Sequence, residues 1–157
     1  MNKKYDIIVF GASGFTGQLI CDYLSSHKNT KNMNWAIAGR NQKKLDIIKS
    51  KNDLMKNIDV LKVDSFDHDS VDNMCSQSKL ILTTVGPYSI YGEYLIESCI
   101  KHSTHYIDLT GEPDFVNKIK SASLPSSIEP KSLEKPMASD PIIVAQRKAS
   151  ISDIPPD

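Results

Sequence analysis

The sequence lacks the marks of several large protein classes. It has three cysteines in 157 residues, Cys21, Cys75 and Cys99, widely spaced and with no CxxC pair. Such a set cannot staple a small secreted scaffold and offers no zinc or iron–sulfur ligands. Reduced thiols packed as small apolar residues, in a cytosolic-type compartment, are expected. The four histidines, His27, His68, His102 and His105, are not spaced as metal ligands either. No apolar run approaches the roughly 18–20 residues that span a bilayer. The run that follows Lys3 and Lys4 stops at Phe10, so it reads as a buried strand rather than a signal peptide. Net charge is absent too, with 19 Lys+Arg against 19 Asp+Glu. That balance argues against gripping nucleic acid or anionic membrane by bulk electrostatics.

Glycine and proline divide the chain. All seven glycines fall before residue 112, and six of the eight prolines fall after residue 124. Residues 122–157 are rich in Ser, Pro and charge, with poor periodicity, and are expected to bury too little apolar surface to order firmly. The expected organisation is therefore a globular domain over 1–121 and a poorly ordered C-terminal tail over 122–157, in which Ile142-Ile143-Val144 can add a short strand.

The first 120 residues alternate two periods. Short β-branched runs at Tyr5–Phe10, Trp35–Ala38, Ile58–Val63, Leu80–Val85 and His105–Leu109 predict strands. Between them lie helical spacings: Leu19, Ile20, Tyr23 and Leu24; Leu45 and Ile48 after an Asn41 cap; Val71, Met74 and Cys75 after Asp67 or Asp69; and Leu95, Ile96, Cys99 and Ile100 within Gly92–His102. Pro113 opens a last short helix. Strands alternating with helices predict an α/β fold, a Rossmann-type doubly wound parallel sheet of order 3-2-1-4-5. Its winding reverses between strands one and four, and ligands bind in the crevice at that point.

Gly11-Ala12-Ser13-Gly14-Phe15-Thr16-Gly17 lies between the first strand and the first helix. Gly11 permits the turn, Gly14 lets backbone approach a diphosphate, and Gly17 allows the helix close to the sheet. The free N–H groups at the helix start favour an anion, and Ser13 and Thr16 offer hydroxyls. The plain alternative is a glycine turn that only makes a bend. A nicotinamide dinucleotide is the expected ligand, because strand and helix flank the glycines as that motif requires. An NAD site places an acid at the end of the second strand, but Arg40 stands there, with Lys43 and Lys44 behind it. A guanidinium at that position favours the 2′-phosphate of NADP(H); otherwise it is a solvated loop charge. Asp64, at the end of the third strand, either accepts from adenine or caps the next helix. Thr84, Val85, Gly86 and Pro87 end the fourth strand beside the switch point, where a nicotinamide ribose can lie against backbone.

The blocks Tyr5–Gly17, Trp35–Asn41, Leu82–Tyr88, Gly92-Glu93 and Thr104–Pro113 resemble the saccharopine dehydrogenase-like oxidoreductases over residues 5–120. The resemblance implies the NADP-binding Rossmann domain of a flavin-free oxidoreductase. Relatives include trans-acting enoyl reductases of bacterial glycolipid synthesis and animal proteins on lipid droplets and membranes. A lipid-like or acyl substrate and a cytoplasmic protein with membrane or droplet association are thus implied. Family members continue into a long second domain that completes the substrate pocket. They also carry a Gly-Phe-Asp-Ser-Ile/Val-Pro block, which Ala145-Gln146-Arg147-Lys148 does not match after Val144. The expectation is a truncated, alternatively spliced or diverged chain, incomplete for catalysis alone and open to a partner chain or a dimer.

Asp108 and Glu112 lie at the end of the fifth strand and are candidates to orient substrate or relay a proton. Their plain alternatives are a loop hydrogen bond and a helix start. Tyr88 and Tyr91 either cover the nicotinamide or pack on an interface, and His105 is expected to be a satisfied structural histidine. A Tyr-x-x-x-Lys pair is absent: four residues after each tyrosine stand Val9, His27, Gly92, Leu95, Ser98 and Thr110. Short-chain dehydrogenase chemistry is therefore excluded, and no catalytic residue is assigned. The reading from another class is a non-catalytic dinucleotide-binding regulatory module.

Overall fold

The computed structural model describes residues 2–123 and 144–145. Six strands form one sheet in the order β3-β2-β1-β4-β5-β6. They are β1 Tyr5–Phe10, β2 Trp35–Gly39, β3 Asp59–Lys62, β4 Ser78–Thr83, β5 His105–Ile107 and β6 Val144–Ala145. The first five are parallel, in the expected order 3-2-1-4-5, and β6 pairs antiparallel with β5 at the edge. Of the strand expected at 142–144, Val144 lies in β6; Ile142 and Ile143 lie outside the described residues. The expectation of a poorly ordered tail falls mostly outside them as well.

Helices α1 Phe15–Ser26 and α2 Gln42–Lys51 cover one face of the sheet. Helices α3 His68–Gln77, α4 Tyr88–Tyr91, α5 Glu93–Lys101 and α6 Pro113–Ser123 lie on the other. The alternation of side chains along β1 explains the two cores. Val9 packs with Cys21, Leu24, Trp35, Ile37, Leu45 and Met55. Ile8 and Phe10 pack with Val71, Met74, Ile81, Leu95 and Tyr106 on the opposite side. Strands buried on both faces carry the continuous apolar runs seen in the sequence. The three cysteines are all buried, as their apolar packing role requires. Burial pushes the Cys21 thiol up to about 12.

Two helix caps fall where expected: Asn41 Oδ1 accepts from Lys44 N at 3.0 Å, and Asp67 Oδ1 accepts from Ser70 N at 3.4 Å. The other boundaries shift by a residue or two, and α6 runs to Ser123, past the boundary expected near Ser121. β4 ends at Thr83 rather than Val85, because Thr83 Oγ1 turns back to accept from Val85 N at 3.2 Å. The helix expected over Gly92–His102 is α5, Glu93–Lys101, and a short helix the sequence reading did not contain, α4, precedes it.

Candidate functional site: a glycine turn at the switch point

The turn from β1 into α1 sits where the sheet reverses direction, between β2 on one side and β4 on the other. Gly11 has φ +91°, a left-handed value, and a Cβ there would stand 2.6 Å from Thr84 Oγ1. Gly17 faces the turn from the helix; a Cβ on it would lie 2.3 Å from the Gly11 carbonyl oxygen. Those two glycines close the turn on itself. Gly14 differs, since a Cβ there would meet only Gly11 O, at an ordinary 3.4 Å. Nothing inside the protein requires glycine at that position.

Among the described residues, side chains cap α2 and α3 and a proline stands at the start of α4 and of α6; α5 has neither, nor has α1. Its N-cap is Gly14, with no side-chain hydrogen bond and no acidic residue in the first turn. The first backbone bond of the helix is Gln18 N to Gly14 O at 3.0 Å. The amides of Phe15, Thr16 and Gly17 precede it and have no intrahelical acceptor. Gly11 and Ala12 amides are spent on Ala38 O at 2.9 and 3.3 Å, and the Gly14 amide on Gly11 O at 2.9 Å. Ala12 is fully buried and supports the turn from behind. Phe15 is 82% exposed. The donors without an intrahelical acceptor thus lie at the start of α1, directly after the glycine turn.

Arg40 follows β2 directly, is exposed, and has no ion pair or hydrogen bond among the described residues. Ser13 Oγ lies 4.0 Å from the position of a Cβ on Gly39, so the Ser13 hydroxyl faces the end of β2 beside Arg40. Asp64 Oδ1 accepts from Phe66 N at 3.1 Å in a local turn, while Asp67 caps α3, so capping is not the role of Asp64. On the other side of the turn, Thr84 N donates to Phe10 O at 2.8 Å and Thr84 Oγ1 to Gly11 O at 3.1 Å. Val85 is half-buried beside it, and the Gly86–Pro87 peptide is cis.

The acid–base candidates are placed differently. Asp108 is 3% exposed; its carboxylate accepts from Tyr106 Oη at 2.7 Å and from Thr110 N at 3.1 Å. It is the loop hydrogen-bond acceptor, and burial with this bond raises the Tyr106 phenol. Glu112 does not start α6 with its side chain; its carboxylate accepts from the Tyr88 and Ser89 amides at 2.7 and 3.0 Å. Hydrogen bonds from Ser89, side chain and amide, and from the Tyr88 amide hold its carboxyl below the usual glutamate range. Tyr88 does not cover a ligand: it is 8% exposed, and Leu109 N donates to its hydroxyl at 3.4 Å. Tyr91 is half-buried against Phe66, with ring centroids 5.2 Å apart. His105, expected to be satisfied, is exposed, and its side chain has no hydrogen bond among the described residues.

A parallel sheet of this order, with a glycine turn and an uncapped helix at its switch point, defines a dinucleotide-binding Rossmann domain. Residues 7–147 match the family described as saccharopine dehydrogenase NADP binding domain, and the chain belongs to that family. It is 33% identical over 123 residues to the "Lipid droplet localized protein" of Caenorhabditis elegans, covering 75% of this chain and 29% of that protein. It is 35% identical over 125 residues to a mouse saccharopine dehydrogenase-like oxidoreductase, covering 73% and 29%. The chain thus spans under a third of the length of these relatives. Among solved structures, apo saccharopine dehydrogenase (L-Glu forming) of Saccharomyces cerevisiae shares the fold. The TM-score is 0.59 at 17% identity, covering 72% of this chain and 23% of the yeast chain. The cofactor is NADP, and the residues present fit it: the first amides of α1 have no intrahelical acceptor, a Cβ at Gly14 would meet only Gly11 O, and Arg40 at the end of β2 has no partner among the described residues. No helix among the described residues is long and apolar enough to cross a membrane.

Proposed function

We propose that the chain is the coenzyme half of an NADP-dependent oxidoreductase acting on a lipid-like or acyl substrate. The carrying observation is the start of α1, which has Gly14 as its N-cap, no side-chain cap and first amides without an intrahelical acceptor. Ser13, Phe15, Thr16 and Gly17 hold the diphosphate through main-chain N–H groups, aided by the helix dipole. Gly11 and Gly14 shape the hollow. Arg40 takes the 2′-phosphate by charge-assisted bonds, with the Ser13 hydroxyl beside it. Asp64 borders the adenine, and Thr84, Val85, Gly86 and Pro87 form the wall for the nicotinamide ribose.

NADPH, when bound, supplies the hydride. The residues of this chain bind and orient it; Asp108 and Glu112 are held in protein hydrogen bonds and supply no free acid or base. Hydride transfer needs a substrate held in near-attack geometry. The groups for that come from outside residues 1–121, which we take as the coenzyme-binding unit, with 122–157 as a segment apart from it. The lipid link is supported by the name of the nematode relative, and we place the protein in the cytoplasm, at lipid-droplet or membrane surfaces.

Titration with NADPH and NADH, with Arg40→Ala alongside, tests this. The reading predicts tighter NADPH binding, by roughly tenfold or more, and loss of that preference in the variant. Equal affinities that the substitution leaves unchanged would sink the 2′-phosphate assignment.

A further inference from the structure

Glu112 reaches back 24 residues in sequence. Its Oε1 accepts from Tyr88 N at 2.7 Å and its Oε2 from Ser89 N at 3.0 Å. Those two amides come directly after Thr84–Pro87, the segment that walls the crevice. Glu112 is itself braced: its amide donates to Thr110 Oγ1 at 3.1 Å, and Thr110 N donates to buried Asp108 at 3.1 Å. A second tie runs alongside, from Leu109 N to Tyr88 Oη at 3.4 Å and from Tyr88 Oη to Thr83 O at 3.4 Å. At its other end the wall segment is fastened to the glycine turn, by Thr84 Oγ1 to Gly11 O at 3.1 Å. The loop after β5, the start of α4, the loop after β4 and the diphosphate turn are one bonded series.

We propose that Glu112 is a positioning residue for the coenzyme: its carboxylate clamps the start of α4 and thereby sets Thr84–Pro87 where the nicotinamide riboside must lie. This rests on the NADP site proposed above. Both carboxylate oxygens are occupied, so Glu112 acts through the loop and not on the reacting atoms. Charge-assisted bonds to two amides are strong enough to fix a loop that has little regular structure. The adenosine half of the coenzyme is held by Arg40 and the glycine turn, which Glu112 does not touch.

That division makes the test. The full 157-residue chain and its Glu112→Ala and Glu112→Gln variants are titrated with NADPH and with adenosine 2′,5′-bisphosphate, which lacks the nicotinamide riboside and the phosphate that carries it. The clamp predicts NADPH binding weaker by roughly tenfold in the alanine variant and by less in the glutamine variant. The fragment binds all three proteins within about twofold. Unchanged NADPH affinity, or equal weakening of both ligands, would overturn the proposal. Should the alanine variant fail to fold, hydrogen exchange on the glutamine variant decides: faster exchange at the Tyr88 and Ser89 amides supports the clamp, and wild-type protection refutes it. A wild-type chain that binds neither ligand would instead overturn the cofactor reading, with the exchange measurement still reporting on the clamp.

Discussion

Replacing Gly17 by alanine should unfold the turn's geometry from within. The new Cβ would sit 2.3 Å from Gly11 O, 2.8 Å from Ala12 Cα and 2.9 Å from Gly11 C. All three are backbone atoms, so no side chain can swing away. Relief requires α1 to move off the sheet by about 1 Å, an overpacking strain at the upper end of ~1–3 kcal/mol. Alanine returns ~1 kcal/mol of helix propensity, which leaves a net loss of about 2 kcal/mol. For a domain of this size that lowers the melting temperature by roughly 6–10 °C. Gly14→Ala is the contrasting variant. Its Cβ meets only Gly11 O at 3.4 Å and its φ is −76°, so the cost is that of a poorer N-cap, at most ~1 kcal/mol. In the proposed site that methyl would project where the diphosphate approaches, and NADPH affinity should fall by at least about tenfold. Thermal melts and coenzyme titrations of both variants separate the two roles. A Gly17→Ala protein that melts with wild type, or a Gly14→Ala protein that keeps its affinity, would refute the reasoning.

Tyr106→Phe removes one of two donors to the buried Asp108 carboxylate. A lower urea midpoint is expected, equivalent to about 1.5–3 kcal/mol; an unchanged midpoint would show that the bond carries no stability. Asp72 is held at about 2 by Lys101 first and the Ser98 hydroxyl second. Its folded value lies below its unfolded one, so its contribution is complete above the ordinary aspartate range and is lost as pH falls toward 2. Asp72→Asn should therefore destabilise at pH 7 and make little difference near pH 2, as read from chemical denaturation at the two pH values; an equal effect at both would contradict the linkage. Cys21, buried with its thiol pushed up to about 12, should resist iodoacetamide in the folded protein and react on unfolding. Rapid native alkylation by mass spectrometry would show the helix opens there.

Most of the scaffold was legible from the chain because its signals are local. Tyr5–Phe10 and Trp35–Gly39 are short apolar runs, and a parallel strand buried on both faces produces that pattern. Asn41 and Asp67 cap through amides three residues ahead, a reach that sequence shows directly. The glycine spacing 11-14-17 was readable as a turn because Gly11 and Gly17 each answer a close contact within it, while Gly14 meets no such crowding. What escaped depends on distant partners. Nothing local pairs Glu112 with the amides of Tyr88 and Ser89, and only the packing of the β4 and β5 loops brings them together. The need for glycine at residue 92, where α4 passes into α5, has the same origin. A Cβ on Gly92 would stand 2.6 Å from Phe115 Cζ of α6, so the close approach of a later helix sets that position. The antiparallel β6 lies 37 residues beyond β5 in sequence, and nothing in its two residues marks its direction.

The most direct test of the account is an amide NMR titration of the chain with NADPH. If the open N–H groups at the start of α1 hold the diphosphate, the Ser13, Phe15 and Thr16 amides will shift together and saturate at one stoichiometric equivalent. Saturable binding that leaves those three amides unmoved, while others shift, would contradict it.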